Sequence, residues 1–454
     1  MPLKMPGRRA VGMVLAALMG VPALVAAQSV GEVEFARGVG YAQTPGQGAR
    51  ILGKGVEFKE GDTLSTAQGS SAIIRMQDGT RMTLRPGTDM VVQRFQYKEG
   101  AANNSMVMQL FSGGLRAITG LIAKNAPEAA KLQTKTATIG IRGTDFDARL
   151  CQKECAGESA KVQEAPKANA VQASAKLVST RGEINAVDGA GTRRRLVDGG
   201  AIYPGETVET GETARGVLAF RDDSRLTLGA TTRFKIDTFV YDEKNPGEGR
   251  FLVSLLRGSA RALTGLIGKA NNRNVGFATA TATVGIRGTG LDMVCEDACS
   301  FFSWLGTIEV TPSNPGQGGG LSALQVLSAG QGLFVSYSGI RALTVPPPVL
   351  NDLPRPDTVP VDVKQLFSAA AMGDEQEGLY VFVRDGHIEV TTASETLHLG
   401  KGETGFAAET GRTVRPLLMP LFLEFDRTLR PNSTNPMLQT ILNETVNRPA
   451  NQCR

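Results

Sequence analysis

The stretch TATIGIRGTDFDARLCQKEC at residues 136–155 returns as TATVGIRGTGLDMVCEDAC at residues 281–299. This repetition constrains the fold more than any bulk property. Other pairs flank it in the same order, each about 144 residues apart: GGLRAITGLIAK and GSARALTGLIGK, TRMTLRPGT and SRLTLGATT, EGDTL and PGETV. A chain that repeats so many segments at one offset carries two homologous units in tandem.

Within each unit the segments read as strands. SAIIRM, TRMTLR and DMVVQRFQY are short, rich in β-branched residues and bounded by turn signals such as Asp78-Gly79 and Pro86-Gly87. SMVMQLF alternates Met106, Met108 and Leu110 with Val107 and Gln109, the two-residue period of a strand with one buried face. Long helical periodicity is absent, and the 54 glycines supply many turns. A shorter unit also recurs, as at Gly182-Glu183-Ile184, Gly306-Thr307-Ile308 and Gly386-His387-Ile388. The expectation is an all-β protein: tandem β-solenoid-like or rolled β-sandwich domains with glycine-rich turns, followed by a C-terminal β segment.

The expected division is a signal peptide at 1–27, a first β domain at 28–155, and a linker at 156–175. A second domain with following strands spans 176–340, a Pro-rich linker 341–362, a C-terminal β segment 363–430 and a polar tail 431–454. VDVKQLFSAAAM reads as a short helix, and GLYVFVRDGHIEVTT as a hairpin turning at Asp385-Gly386.

Lys4, Arg8 and Arg9 precede an apolar run that ends in the small residues Val25 and Ala27. That order predicts a secretory signal peptide cut after Ala27, and so a periplasmic or secreted chain. Removing those three cations lowers the formal charge from +5 to +2. A nearly neutral protein gives no support for nucleic-acid partners. Arg193-Arg194-Arg195, the tight basic cluster, reads as a solvated turn. No segment after residue 27 is expected to span a membrane; PLLMPLFLEF is too short and holds two prolines.

The nine-residue phrase Thr-Ala-Thr-Ile/Val-Gly-Ile-Arg-Gly-Thr resembles the hallmark of FecR-domain proteins. The Thr-Gly-Leu-Ile segments and GLYVFVRDGHIEV…LHLGKGETGFA are similar to that family too. The resemblance implies a periplasmic all-β domain. The family's founding member relays the state of an outer-membrane iron–siderophore receptor through a membrane helix to a cytoplasmic anti-sigma segment. This chain is expected to lack that helix and that segment, so iron sensing is not carried over. Gly140, Arg142, Gly143 and Thr144, with Gly285, Arg287, Gly288 and Thr289, are the motif residues, and their expected role is structural.

Cys151 and Cys155, and Cys295 and Cys299, fall at matching places in the two repeats. In an oxidising compartment each pair is expected to form a disulfide, which requires each stretch to curl, since extended residues hold the Cα atoms too far apart. A four-thiolate zinc site is the sharper alternative, disfavoured by the three-residue spacing and the long separation of the pairs. Cys453 is left over. Arg142 and Arg287 sit among Ile and Gly, where a buried or edge arginine finds a local carboxylate. Asp145 becomes Gly290 in the second copy, which argues against a catalytic aspartate. His387, just after the expected turn, reads as an exposed polar residue, and no Gly-x-Ser-x-Gly elbow, phosphate loop or His-x-x-x-His pair is present. The expectation is a non-enzymatic module without cofactor or metal. It would bind or sense an envelope or inner-membrane signalling protein; the alternative is a structural or adhesin-type module on peptidoglycan or polysaccharide, a cell-wall glycan.

Overall fold

The structure, a computed structural model, describes residues 28–313, 324–373 and 376–425. The expected signal peptide and the polar tail with Cys453 lie outside the described residues. The chain is almost entirely β, arranged in two large curled sheets of sixteen and fifteen strands among the described residues. Binary patterning accounts for the strands. In Ser105–Ser112, Met106, Met108 and Leu110 are buried against the core while the residues between them are half-buried or exposed.

Two fourteen-residue strands carry the repeated phrase, Thr138–Cys151 and Ala282–Cys295. Each has two neighbours along one edge. In the first unit, Ile139 stands opposite Leu132 and Phe146 opposite Ala117. In the second, Val284 stands opposite Phe277 and Leu291 opposite Ala262. One strand thereby ties together both halves of its sheet, which explains why the phrase is long and apolar.

The other edges differ. The second motif strand pairs with the next strand in sequence, Cys299–Pro312, with Ile286 opposite Ile308. The first motif strand instead pairs along its length with Gly378–Thr391, with Ile141 opposite Ile388. Leu379, Val381, Val383, Ile388 and Val390 therefore complete the first unit's core. The registers are equivalent: Gly386-His387-Ile388-Glu389-Val390 occupies the place that Gly306-Thr307-Ile308-Glu309-Val310 takes in the second unit. The whole second repeat lies, in sequence, between the first motif strand and its partner.

Two local expectations are corrected. GLYVFVRDGHIEVTT is one continuous strand, not a hairpin. Gly386, at φ +93°, forms a bulge against Gly143 at φ +63°, and a Cβ on Gly386 would lie 2.7 Å from the Gly143 carbonyl. A glycine before a polar residue serves a bulge as readily as a turn. Arg193–Leu196 is an edge strand, not a turn. The turn lies just before it, where the Asp188 carboxylate accepts the Ala190 and Thr192 N–H groups. Glu206 and Glu209 hold Arg194 and Arg193. The short helix is present as Val363–Phe367, capped by the Asp362 carboxylate.

Candidate functional site

The motif residues act as a brace. Arg142 pairs with Glu389 at 2.7 Å and Glu128 at 3.0 Å, and Arg287 pairs with Glu309. Gly143 and Gly288 adopt φ of +63° and +61°, the left-handed region where a side chain is strained. The buried Thr144 hydroxyl donates to the His387 carbonyl at 2.9 Å, and its N–H donates to the Thr119 hydroxyl at 2.7 Å. The side chain of Thr289 lies outside the described residues. Asp145, which Gly290 replaces, accepts two hydrogen bonds from Arg116.

The Thr-Gly-Leu-Ile segments have a matching purpose. The buried Asp78 carboxylate accepts from Thr80 and from the Ile122 N–H, and Asp222 does the same with Ser224 and Ile267. A Cβ on Gly120 would lie 2.2 Å from the Asp78 carbonyl, and one on Gly265 2.0 Å from that of Asp222. Only glycine permits the short helix to sit on that turn.

Both cysteine pairs stand at disulfide distance, with Cα separations of 5.6 Å for Cys151 and Cys155 and 4.2 Å for Cys295 and Cys299. The curls differ. Cys155 enters the short helix Glu154–Ser159, whereas Cys295 and Cys299 face each other across a hairpin. Among the described residues no group of three or more His, Cys, Asp or Glu is placed to hold a metal ion.

A buried charge cluster escaped the sequence reading. Lys176, in the second repeat's first strand Ala175–Arg181, donates to Glu403 Oε2 at 3.5 Å and to the His398 carbonyl at 3.1 Å. Arg415 donates to the same Glu403 oxygen at 3.2 Å. Burial pushes the Lys176 ammonium down to about 8, the pull of Glu403 offsetting only part of it. Burial pushes the Glu403 carboxyl up, and the charges of Lys176 and Arg415 reverse this, leaving it below its ordinary value. His387 is 3% exposed, not an exposed polar residue, because its strand is covered on this face. Its ring stacks on His398 at 5.5 Å between centroids, with 3.4 Å between His398 Nδ1 and His387 Nε2. Burial, then the neighbouring His398, holds His387 well below the ordinary imidazole value, and burial brings His398 to about 4. The cluster joins the first unit's C-terminal strands to the first strands of the second.

An open groove of about 1310 Å³ lies between the second repeat and residues 357–369. Its walls include Arg221, Asp223, Arg225, Tyr241, Asp242, Glu243 and Phe367. Arg225 pins one wall by donating to the carbonyls of Val359 at 3.0 Å and Val361 at 3.4 Å. The Arg221 guanidinium lies over the Phe239 ring at 5.6 Å, with its buried Nε unpartnered among the described residues. Mixed charge and an aromatic wall suit recognition of a polar, extended ligand.

No curated protein matches the chain. Two solved crystal structures of a candidate anti-sigma factor from Parabacteroides distasonis, at 1.65 and 2.50 Å resolution, each share 14% identity with it over 30% of this chain and 58% of theirs. The chain thus spans little more than half of theirs, and a TM-score of 0.24 is too slight to carry an argument. The family model described as FecR protein matches residues 62–164 and 206–300, the two segments that end around the cysteine pairs. The chain carries two FecR-family segments in tandem.

Proposed function

We propose that the chain is a non-catalytic binding and sensing module of the cell envelope, exported to the periplasm, whose partner is an envelope or inner-membrane signalling protein. The FecR segments support a signalling role, and the cysteine pairs at disulfide distance suit an oxidising compartment. The groove beside residues 357–369 is the observation that carries the reading. Its volume of about 1310 Å³ suits a peptide segment, and its walls carry both charge signs and the rings of Tyr241 and Phe367.

A photocrosslinking residue at Lys364, on the groove wall, tests this in the native envelope. A discrete protein adduct that Arg221→Ala diminishes is the expected result. Adducts to peptidoglycan or polysaccharide with no protein would replace this reading with that of a structural or adhesin-type module.

A further inference from the structure

Among the described residues, each of the two sheets carries an open counterpart of the junction between the units. Strand register identifies the matching positions. His398 stands opposite Glu389 as Val326 stands opposite Glu309. Gly402 and Gly330 donate to the carbonyls of Val383 and Ser303, so Glu403 corresponds to Gln331. On the other side of the junction, Gly199 donates to Leu177 as Gly55 donates to Val33, and Lys176 corresponds to Glu32.

At the junction these positions are closed. The Glu403 and Lys176 side chains are 1% and 0% exposed, and a Cβ on Gly199 would lie 2.2 Å from the His398 ring. At the free ends they are more open, although Glu32 is half-buried and already accepts from Arg75. Val326 is 58% exposed, Ser328 and Gln331 are exposed, and Gly55 has nothing within 4 Å of a Cβ position. The residues also change together. Lys176 facing Glu403 becomes Glu32 and Gln331, an amide that donates to a carboxylate, whereas a retained glutamate at 331 would meet Glu32 as a like charge. His398 over Gly199 becomes an apolar Val326 suited to cover Gly55.

We propose that the exposed face of Val326, Ser328 and Gln331 docks on the Glu32–Gly55 face of a second copy of this chain, repeating between copies the junction already formed within one. The contact uses two different patches, so it leaves a free patch at each end of every assembly and builds linear stacks unless it closes into a ring. It lies apart from the groove of the proposed function, and neither depends on the other.

Sedimentation of the purified chain across a concentration series tests the proposal. The expected result is a mass that rises with concentration past that of a dimer, and a shift to monomer with Val326→Arg or, independently, Ser328→Arg. Gln331→Glu alone should weaken association about tenfold or more, and Glu32→Lys added to it should restore association by rebuilding the lysine–glutamate pair. Both arginine positions are exposed, so far-UV spectra should stay unchanged. A chain that stays monomeric throughout overturns the proposal, as does assembly indifferent to both arginine variants. Assembly that stops at a dimer and ignores Glu32 would show pairing of two like faces and equally overturn it.

Discussion

Lys176 Nζ and Glu403 Oε2 lie 3.5 Å apart, both sealed from solvent, Lys176 on a strand of the second sheet and Glu403 in a turn between two strands of the first. Removing one partner leaves a buried charge uncompensated, which costs about 3–5 kcal/mol. Glu403→Gln strands both Lys176 and Arg415 and should lower unfolding stability by about that much in urea titration, whereas Lys176→Met leaves Arg415 on Glu403 and should cost less. Lys176→Met combined with Glu403→Gln should recover only part of it, since Arg415 would then lose its carboxylate. Full independence of the two variants would show that the pair does not couple the units.

The stacked histidines give this junction a pH dependence. Folded His398 titrates at about 4 because it is buried, and the buried His387 lies well below the ordinary value. Unfolded imidazoles titrate near 6.5. Between those values the unfolded state binds more protons, so the stability these groups support is present above about 6.5 and falls as pH drops toward 4. Asp292, raised to about 6 by burial, works in the opposite direction between about 4 and 6. The informative measurement is thus a difference: the stability advantage of the parent chain over His398→Gln should shrink by an amount on the order of 3 kcal/mol as pH falls from 6.5 to 4. An imidazole resonance of His398 with a midpoint near 6.5 would contradict the burial.

The returning strand predicts how fragments behave. A chain ending after Leu343 keeps every strand of the second sheet but loses Gly378–Thr391, baring one edge of the first motif strand and part of its apolar core. Unpaired edges beside exposed apolar residues promote aggregation. The fragment 28–343 should aggregate or expose dye-binding surface, while the fragment 175–343 should remain folded by circular dichroism. Equal solubility of the two would argue against the first unit's need for the returning strand.

The repeat made the strands and the tandem plan legible, because two-residue alternation and glycine turns are local properties. The partner of the first motif strand was not, since local patterning says which face is buried but not which distant strand covers it. A signal did exist: Gly-His-Ile-Glu-Val and Gly-Thr-Ile-Glu-Val mark equivalent strands, and only the second follows its motif strand directly. Lys176 and Glu403 were unreadable for a related reason. Each looks like a solvated charge in its own segment, and their partnership spans a sequence separation of 227 residues. The partner of Arg142 was equally out of reach, since Glu389 lies 247 residues away, while Arg287, its side chain 63% exposed, pairs with Glu309 on the next strand.

The motif glycines can be tested singly. Gly288 has φ +61° with nothing within 4 Å of a Cβ position, so Gly288→Ala introduces backbone strain without a clash. An alanine held in the left-handed region costs roughly 1–2 kcal/mol. Gly143→Ala, at φ +63° with Lys124 Cγ at 3.5 Å, should cost about the same. Thermal unfolding of each variant would show whether the phrase's repeated Arg-Gly-Thr serves the bulge. A neutral result at both positions would mean that the bulge relaxes freely.

The cysteine pairs close loops with a sequence separation of 4 in both units. On the chain-entropy model, crosslinking so short a loop stabilises by about 2 kcal/mol, so Cys151→Ser with Cys155→Ser should destabilise modestly. The effect should be confined. Cys151 and Cys155 sit in a small cluster with Tyr380, Phe406 and Phe422, apart from the main core of the first sheet. Cys295 and Cys299 instead belong to the main core of the second; all four cysteines are buried, so replacing either pair with serines also buries two hydroxyls. Non-reducing peptide mapping of the purified protein should find both links local. A Cys151–Cys295 link, or four free thiols with zinc that a chelator removes along with stability, would show that the pairs serve a shared site instead.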